Sequence, residues 1–343
     1  MNHAAIDLGG KESQICIRQP DGTIVEERKV PTRKLTELVT TWTPSRVVME
    51  TSAEAFRIAD AAIAAGHEVR VVPATLVRLL GVGDRGIKND QRDAQHLSKA
   101  SWQTDVPSVH IPTKAARELK SICGARDVLV GTRTKLINNV RGWMRTQLWK
   151  IRGGTTGTFA DRVRGHAESV GEPLLEHVER QLRMLSLVIE EVKAADKQIK
   201  KLAGEHPVCR RLMTVPGIGP LTALRFVAAI DEPRRFSTAH RVQSYLGLTP
   251  GEHSSSERER RTGITKAGPM ELRRTLIQAA WAPMCLVHTS HPMIDWARRI
   301  AERRGRPVAA VALARKLAGI LFAMWRDGTS YQAKRSAEAV KLS

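Results

Sequence analysis

The chain has 343 residues, of which 42% are apolar and 26% charged; 55 Lys and Arg against 35 Asp and Glu give a net charge of +20. That much apolar material excludes a wholly disordered chain, the length allows about two ordinary domains, and no run of about 18 residues is apolar and free of charge, so no transmembrane helix is expected. The charge excess calls for an anionic partner, nucleic acid first, although any generic basic protein shares that feature.

The N-terminal MNHAAIDLGGKE lacks a basic segment followed by an apolar run, so no signal peptide is expected. Residues 3–9 are short, apolar and closed by glycines, and read as a strand. Residues 13–18 alternate as a second strand, and Pro20-Asp21-Gly22 turns the chain into a hairpin partner over 23–30. A short helix over 35–42, a buried strand over 46–51, an Ala-rich helix over 53–65 stopped by Gly66, and a strand over 68–73 follow. A further helix begins near Asp90. A three-strand meander leading into strand–helix units is the ribonuclease H-like order, an α/β mixed sheet, although other mixed α/β folds produce it too.

From Thr113 to Lys150 the pattern is helical, with a basic face that includes Lys114, Arg117, Lys120, Arg126, Arg133, Lys135, Arg141 and Arg145. RGGTTGT at 152–158 breaks it, and a second long helix follows. Leu185, Val188, Val192, Ala195, Ile199 and Leu202 form a heptad seam there, either a helical hairpin or an intermolecular coiled coil. After Pro207 come short helices and glycine-rich loops. The expected organisation is an acidic α/β domain over 1–110, a helical spacer over 111–206, a mostly α domain over 207–326 and a basic tail over 327–343. Cys16, Cys123, Cys209 and Cys285 have no zinc or redox spacing, and read as buried, reduced thiols of a cytosolic protein.

Four carboxylates stand out. Asp7 and Glu50 each close an apolar strand, and those strands are neighbours in the expected sheet. Asp90 and Asp93, three apart at a helix start, share a face. Carboxylates that close repel one another unless a divalent cation stands between them, and oxygen-only ligands select Mg²⁺ or Mn²⁺. Lys88 and Arg92, in the same KNDQRDA string, can approach phosphates. Against this, Asp90 can be a plain N-cap, Asp7 a turn former and Glu50 a solvated strand end.

Ser254, Ser255 and Ser256 read as a polar loop between two helices, with Arg258, Arg260, Arg261 and Lys266 close behind. A serine attacks phosphorus only where cations stabilise the developing charge; a flexible Ser-rich loop on a basic surface is the other reading. VPGIGP at 215–220, with Gly217 and Gly219, suits a hairpin between helices whose free N–H groups hold a phosphate, or a plain glycine-rich connection.

IDLGGKES, VVMETS, KNDQRDA, VPGIGPLTA, YLGLTP, the serine segment and ITKAGPMELRRTLIQAA, in this order, resemble the insertion-sequence one-ten family of transposases, the DEDD/serine recombinases that include Piv-type invertases. The resemblance runs from about residue 3 to about residue 325. It implies a RuvC-like domain with Asp7, Glu50, Asp90 and Asp93 as Mg²⁺-binding catalytic acids, and Ser255 as nucleophile. Ser256 stands where a glycine is usual, so Ser254 and Ser256 remain alternatives. It also implies a composite site across subunits, a structured guide RNA, and donor and target DNA; the heptad seam and the need to hold two duplexes favour a dimer or tetramer, and the expected location is bacterial and nucleoid-associated. Two other readings stand beside it: a junction-resolving nuclease that uses water, and a non-catalytic nucleic-acid-binding protein.

Overall fold

A computed structural model describes residues 1–77, 89–255, 258–285 and 291–332. The chain divides into two compact units, Met1–Pro112 and Thr113–Ser343.

The first unit opens with strands β1 (Asn2–Asp7), β2 (Glu12–Arg18) and β3 (Ile24–Pro31), an antiparallel meander. A helical turn, α1 (Leu35–Leu38), leads to β4 (Ser45–Glu50), then α2 (Ala55–Ala64), β5 (Glu68–Val72), the short α3 (Ala74–Val77) and α4 (Asp90–Gln103). The sheet order is β3-β2-β1-β4-β5, with β4 parallel to both β1 and β5. This is the mixed sheet that the element order calls for.

Strand alternation sorts the side chains into two layers. Ala4, Ile6, Val47 and Met49 pack with α1 and α2. Ala5, Val48 and Val72 pack on the other face with Leu97 of α4. Helix α4 starts at Asn89, whose side chain accepts from the Gln91 N–H, so the N-cap reading of Asp90 is corrected: the cap is the residue before it.

The second unit is mostly helical. Helix α5 (Lys114–Thr146) is followed by α6 (Phe159–Val170), which ends at a left-handed Gly171, and by α7 (Glu176–Glu205). The sequence reading placed one long helix after the 152–158 breaker; the structure has α6 as well. Leu185, Val192 and Ile199 of the heptad seam are buried, Leu185 in a core with Ile137 and Val140 of α5 and Ile199 in one with Cys123 of α5, so the seam forms a helical hairpin within the chain.

Next come α8 (Pro207–Leu212), α9 (Pro220–Ile230), α10 (Ala239–Tyr245), strands β6 (Pro250–Ser255) and β7 (Arg258–Ile264), α11 (Met270–Cys285), α12 (Pro292–Arg304) and α13 (Arg306–Asp327). Helix α13 is 22 residues long and holds an 18-residue window of mean hydropathy 1.7, enough by length and composition to cross a membrane. Half of that segment is buried in this unit, with Leu313, Leu317 and Leu321 in its main core, so it is accounted for as a core helix. Cys16, Cys123 and Cys209 are buried, whereas Cys285 is exposed, which corrects the expectation for that residue. Burial pushes the Cys209 thiol up to about 12, so it stays protonated and unreactive.

Helix α9 is fixed by charge as well as packing. Arg225, almost fully buried, donates to Asp127 of α5 and to Thr275 of α11, and Arg274 approaches the same Asp127 oxygen at 3.5 Å. Removing Asp127 leaves a buried guanidinium without its counter-charge. Asp127→Ala is therefore expected to cost about 3–5 kcal/mol, read as a lowered urea midpoint at unchanged slope. A midpoint within error of the parent would show the pair to be dispensable.

Candidate active site

Asp7 and Glu50 end adjacent parallel strands. Ile6 pairs with Met49, so the next step of the register sets Asp7 beside Glu50, in strands about 4.8 Å apart. Asp7 follows Ala5 by two residues and Glu50 follows Val48 by two, so both carboxylates lie on the face that α4 covers.

Helix α4 runs antiparallel to β1 over that face. His3 Nδ1 meets Ser101 Oγ at 2.9 Å, and Cys16 Sγ, opposite Ala5, meets Ser98 Oγ at 3.2 Å. From His3 to Asp7 the strand advances about 13 Å at its usual rise, and from Ser101 back to Asp93 the helix retreats about 12 Å. Asp93 thus arrives at the level of Asp7. It is only 7% exposed, in the stripe Asp93, Ala94, Leu97, Ser98, Ser101 that α4 turns toward the sheet. Asp90 continues the stripe one turn beyond the strand ends and is exposed.

The loop after Asp7 is locked. A Cβ at Gly9 would stand 2.2 Å from the Glu12 carbonyl oxygen, so only glycine permits this tight return. Thr32 Oγ1 donates to the Gly9 carbonyl at 2.6 Å, and Ser13 and Thr32 hydroxyls meet at 2.8 Å. Beyond Glu50, Thr51 donates through both N–H and Oγ1 to the Val72 carbonyl at 2.9 Å. Both acids therefore stand on stiff supports.

The β1–β2 pairing adds a residue that the sequence did not single out. Gln14 pairs with Asp7 in the β1–β2 register and lies on the same face as Cys16, hence on the face of the acids. It is 8% exposed, yet its amide donates only to the neighbouring Ile15 carbonyl, at 3.5 Å, the long limit of a hydrogen bond. The one signal in the sequence is a polar residue two before Cys16 in an otherwise apolar alternation.

Among the described residues, no three His, Cys, Asp or Glu side chains are grouped closely enough to hold a metal ion. The fold thus brings Asp7, Glu50 and Asp93 to one end of one face, with Asp90 one turn out, without closing them on a point. The donor set nevertheless fits a hard divalent cation: carboxylate oxygens without His or Cys. Arg92 is exposed in the first turn of α4, while Lys88 lies outside the described residues.

In the second unit, the serine segment is a hairpin strand rather than a loop between helices. Ser254 pairs with Glu259, and Ser255, the last residue of β6, pairs with Arg258. Arg260 and Arg261 lie in β7 opposite His253 and Glu252. Ser256 lies outside the described residues. The hairpin base is tightly built. Gly247 and Gly268 both have positive φ, and a Cβ on either would stand within 2.4 Å of a carbonyl oxygen. The buried Arg273 donates to the Leu246 and Ala267 carbonyls at 3.1 and 2.6 Å. Lys266 has φ +57°, a left-handed conformation that a non-glycine residue adopts only when its surroundings enforce it.

Gly217 (φ +87°) and Gly219 lie between α8 and α9. A Cβ at Gly217 would be 2.5 Å from the Ala279 carbonyl oxygen, which requires glycine for packing alone. Gly219 N-caps α9 without a side-chain bond, and Pro220 follows at the first helical position.

Two family models match the chain. One, described as Transposase IS116/IS110/IS902 family, covers residues 209–292; the other, described as Transposase, of the IS110 DEDD class, covers residues 4–147. Among curated relatives, the transposase for insertion sequence element IS1111A of Coxiella burnetii is 27% identical, over 95% of this chain and 90% of its own length. A probable family 20 transposase of Pseudomonas aeruginosa is 30% identical, over 84% of this chain and 86% of its own. The transposase for IS1328 of Yersinia enterocolitica is 25% identical, over 95% and 97%.

Proposed function

Since the chain belongs to the IS110/IS116 family of insertion-sequence transposases, DNA-cutting and DNA-joining proteins, we propose that it recombines donor and target DNA through a serine nucleophile assisted by a Mg²⁺-binding acidic site. The observation that carries the acidic half is the shared face and level of Asp7, Glu50 and Asp93 at the ends of β1, β4 and the first turn of α4. In this reading the first unit is a RuvC-like nuclease domain.

Asp7, Glu50, Asp90 and Asp93 would hold Mg²⁺ or Mn²⁺, which when bound supplies charge stabilisation at the phosphodiester. Ser255 Oγ forms a bond to phosphorus while the bond from phosphorus to the departing deoxyribose oxygen breaks, leaving a transient phosphoserine link. Attack by a hydroxyl of the second strand returns the serine and joins the DNA. Arg258, Arg260, Arg261 and Lys266 balance the phosphate charge around that strand. Lys88 and Arg92, and the α9 start at Gly217 and Gly219, contact backbone phosphates without reading bases. Pairing with a structured guide RNA supplies sequence choice, and a dimer or tetramer holds the two duplexes; the +20 charge serves all these phosphates. The site of action is the bacterial nucleoid.

The test is a denaturing gel after incubation with donor and target DNA, the element's flanking RNA and Mg²⁺. A denaturation-stable protein–DNA adduct is expected. Water-cleaved ends without an adduct would overturn the serine mechanism and favour the junction-resolving nuclease.

Gln14 stands beside Asp7 in the β1–β2 register, and we assign it to this site as a positioning residue. Gln14→Leu keeps the volume and removes the amide. It is expected to weaken Mn²⁺ binding by about 10–100-fold in calorimetry, with the thermal midpoint preserved. Unchanged Mn²⁺ affinity would remove Gln14 from the site.

A further inference from the structure

Helix α13 is apolar on two sides. One side, with Leu313, Leu317 and Leu321, is buried in the core of the second unit. The other, with Val308, Val311 and Ala312, lines a groove of about 940 Å³ whose far wall is the base of the serine hairpin, from Leu248 and Pro250 to Ile264. Val308 is 45% exposed. A second apolar side left open beside the core-facing one is the kind of surface a partner covers, so the groove calls for an occupant.

The groove's own chemistry says which kind. Its floor is aliphatic, its cations are Arg304, Arg315 and Lys316, and among the described residues none that lines it is Asp or Glu. Arg315 is oriented by Gln243, whose Oε1 accepts from its Nε at 2.9 Å, and Lys316 sits 4.4 Å from the Trp296 ring centroid. A second copy of a chain with net charge +20 would bring cations to cations. A DNA duplex presents phosphates outward and keeps its bases stacked, so it leaves an aliphatic floor uncovered. A strand with unstacked bases satisfies both parts, with base faces on the floor and phosphates at the cations.

Position adds the direction. Pro250, in the groove wall, begins β6, and Ser255 ends it five residues later, about 17 Å along the strand. We propose that this groove binds unstacked nucleotides of a single DNA strand and leads that strand along the hairpin toward Ser255. The inference rests on the transposase reading for DNA as the substrate, and on the groove for where and in what form the strand is held.

The test uses the full chain and a short single-stranded DNA carrying 5-iododeoxyuridine, with duplex DNA and single-stranded RNA of the same sequence as separate arms. Photo-crosslinks are expected in peptides that contain Trp296 or residues 304–316. Val308→Glu, at a position open enough to accept a charge, should weaken single-stranded DNA binding about tenfold and leave duplex binding within about twofold. Arg304→Gln should lower the salt slope of single-strand binding by about one. Ser255→Ala should bind as the parent does, which separates this proposal from the catalytic one. Crosslinks confined to other segments, equal loss of both DNA forms in Val308→Glu, or capture of RNA but not DNA would overturn the groove assignment. Absence of any nucleic-acid binding by the parent would overturn it together with the transposase reading.

Discussion

Asp7→Asn is expected to lower DNA cutting and joining by about 10³-fold, the scale of losing a charged group that stabilises the transition state. The substitution is nearly isosteric, so the close neighbours Gln14 and Glu50 keep their packing while the negative charge is lost. The same change should weaken Mn²⁺ binding in calorimetry, and the urea midpoint should stay near that of the parent. Glu12→Gln is the comparison: Glu12 is an exposed carboxylate at the start of β2, engaged only in a surface pair with Lys29 at 3.4 Å. Such pairs contribute about 0–1 kcal/mol, so neither activity nor stability should move measurably. Parental rates in Asp7→Asn would refute the acidic site.

Ser255→Ala should abolish the covalent adduct and joined products, again by about 10³-fold or more, while leaving DNA and RNA binding intact. The adduct is the decisive readout, because loss of product alone also follows from a damaged fold. Ser255 closes β6 opposite Arg258, so its backbone is held by the ladder in the last pair of the described strands. Ser254→Ala and Ser256→Ala are expected to retain the adduct. If one of them abolishes it while Ser255→Ala keeps it, the nucleophile shifts by one residue and the metal reading stands. If all three keep it, the serine mechanism falls.

These outcomes probe two halves that the sequence exposes unequally. The acidic half is legible because each of its acids ends or begins a regular element. Asp7 closes HAAI, Glu50 closes RVVM, and Asp90 and Asp93 open a helix whose apolar stripe is visible in the residues themselves. The serine half is not. GEHSSS and RERRTGI carry no apolar alternation, so nothing local distinguishes two paired strands from a polar loop. The hairpin is specified by its base, where Gly247, Gly268 and the buried Arg273 tie the turn and α11 together. Several of those contacts join residues twenty or more positions apart, Arg273 with Leu246 and Gly268 with Tyr245 among them.

By itself, the sequence determined the order of elements in the first unit, the helical character of 113–205 and the positions of the acids. Each of these follows from periodicity, caps and breakers, which act within a few residues. Only the tertiary structure decided that Asp7, Glu50 and Asp93 share one face and one level, that Gln14 stands beside them, that Asn89 rather than Asp90 caps α4, and that the heptad seam is used against α5. The physical reason is register. Which strand pairs with which, and how far a helix slides over a sheet, is set by contacts such as His3 with Ser101 and Cys16 with Ser98. Their partners lie more than eighty residues away along the chain, where no local pattern can name them.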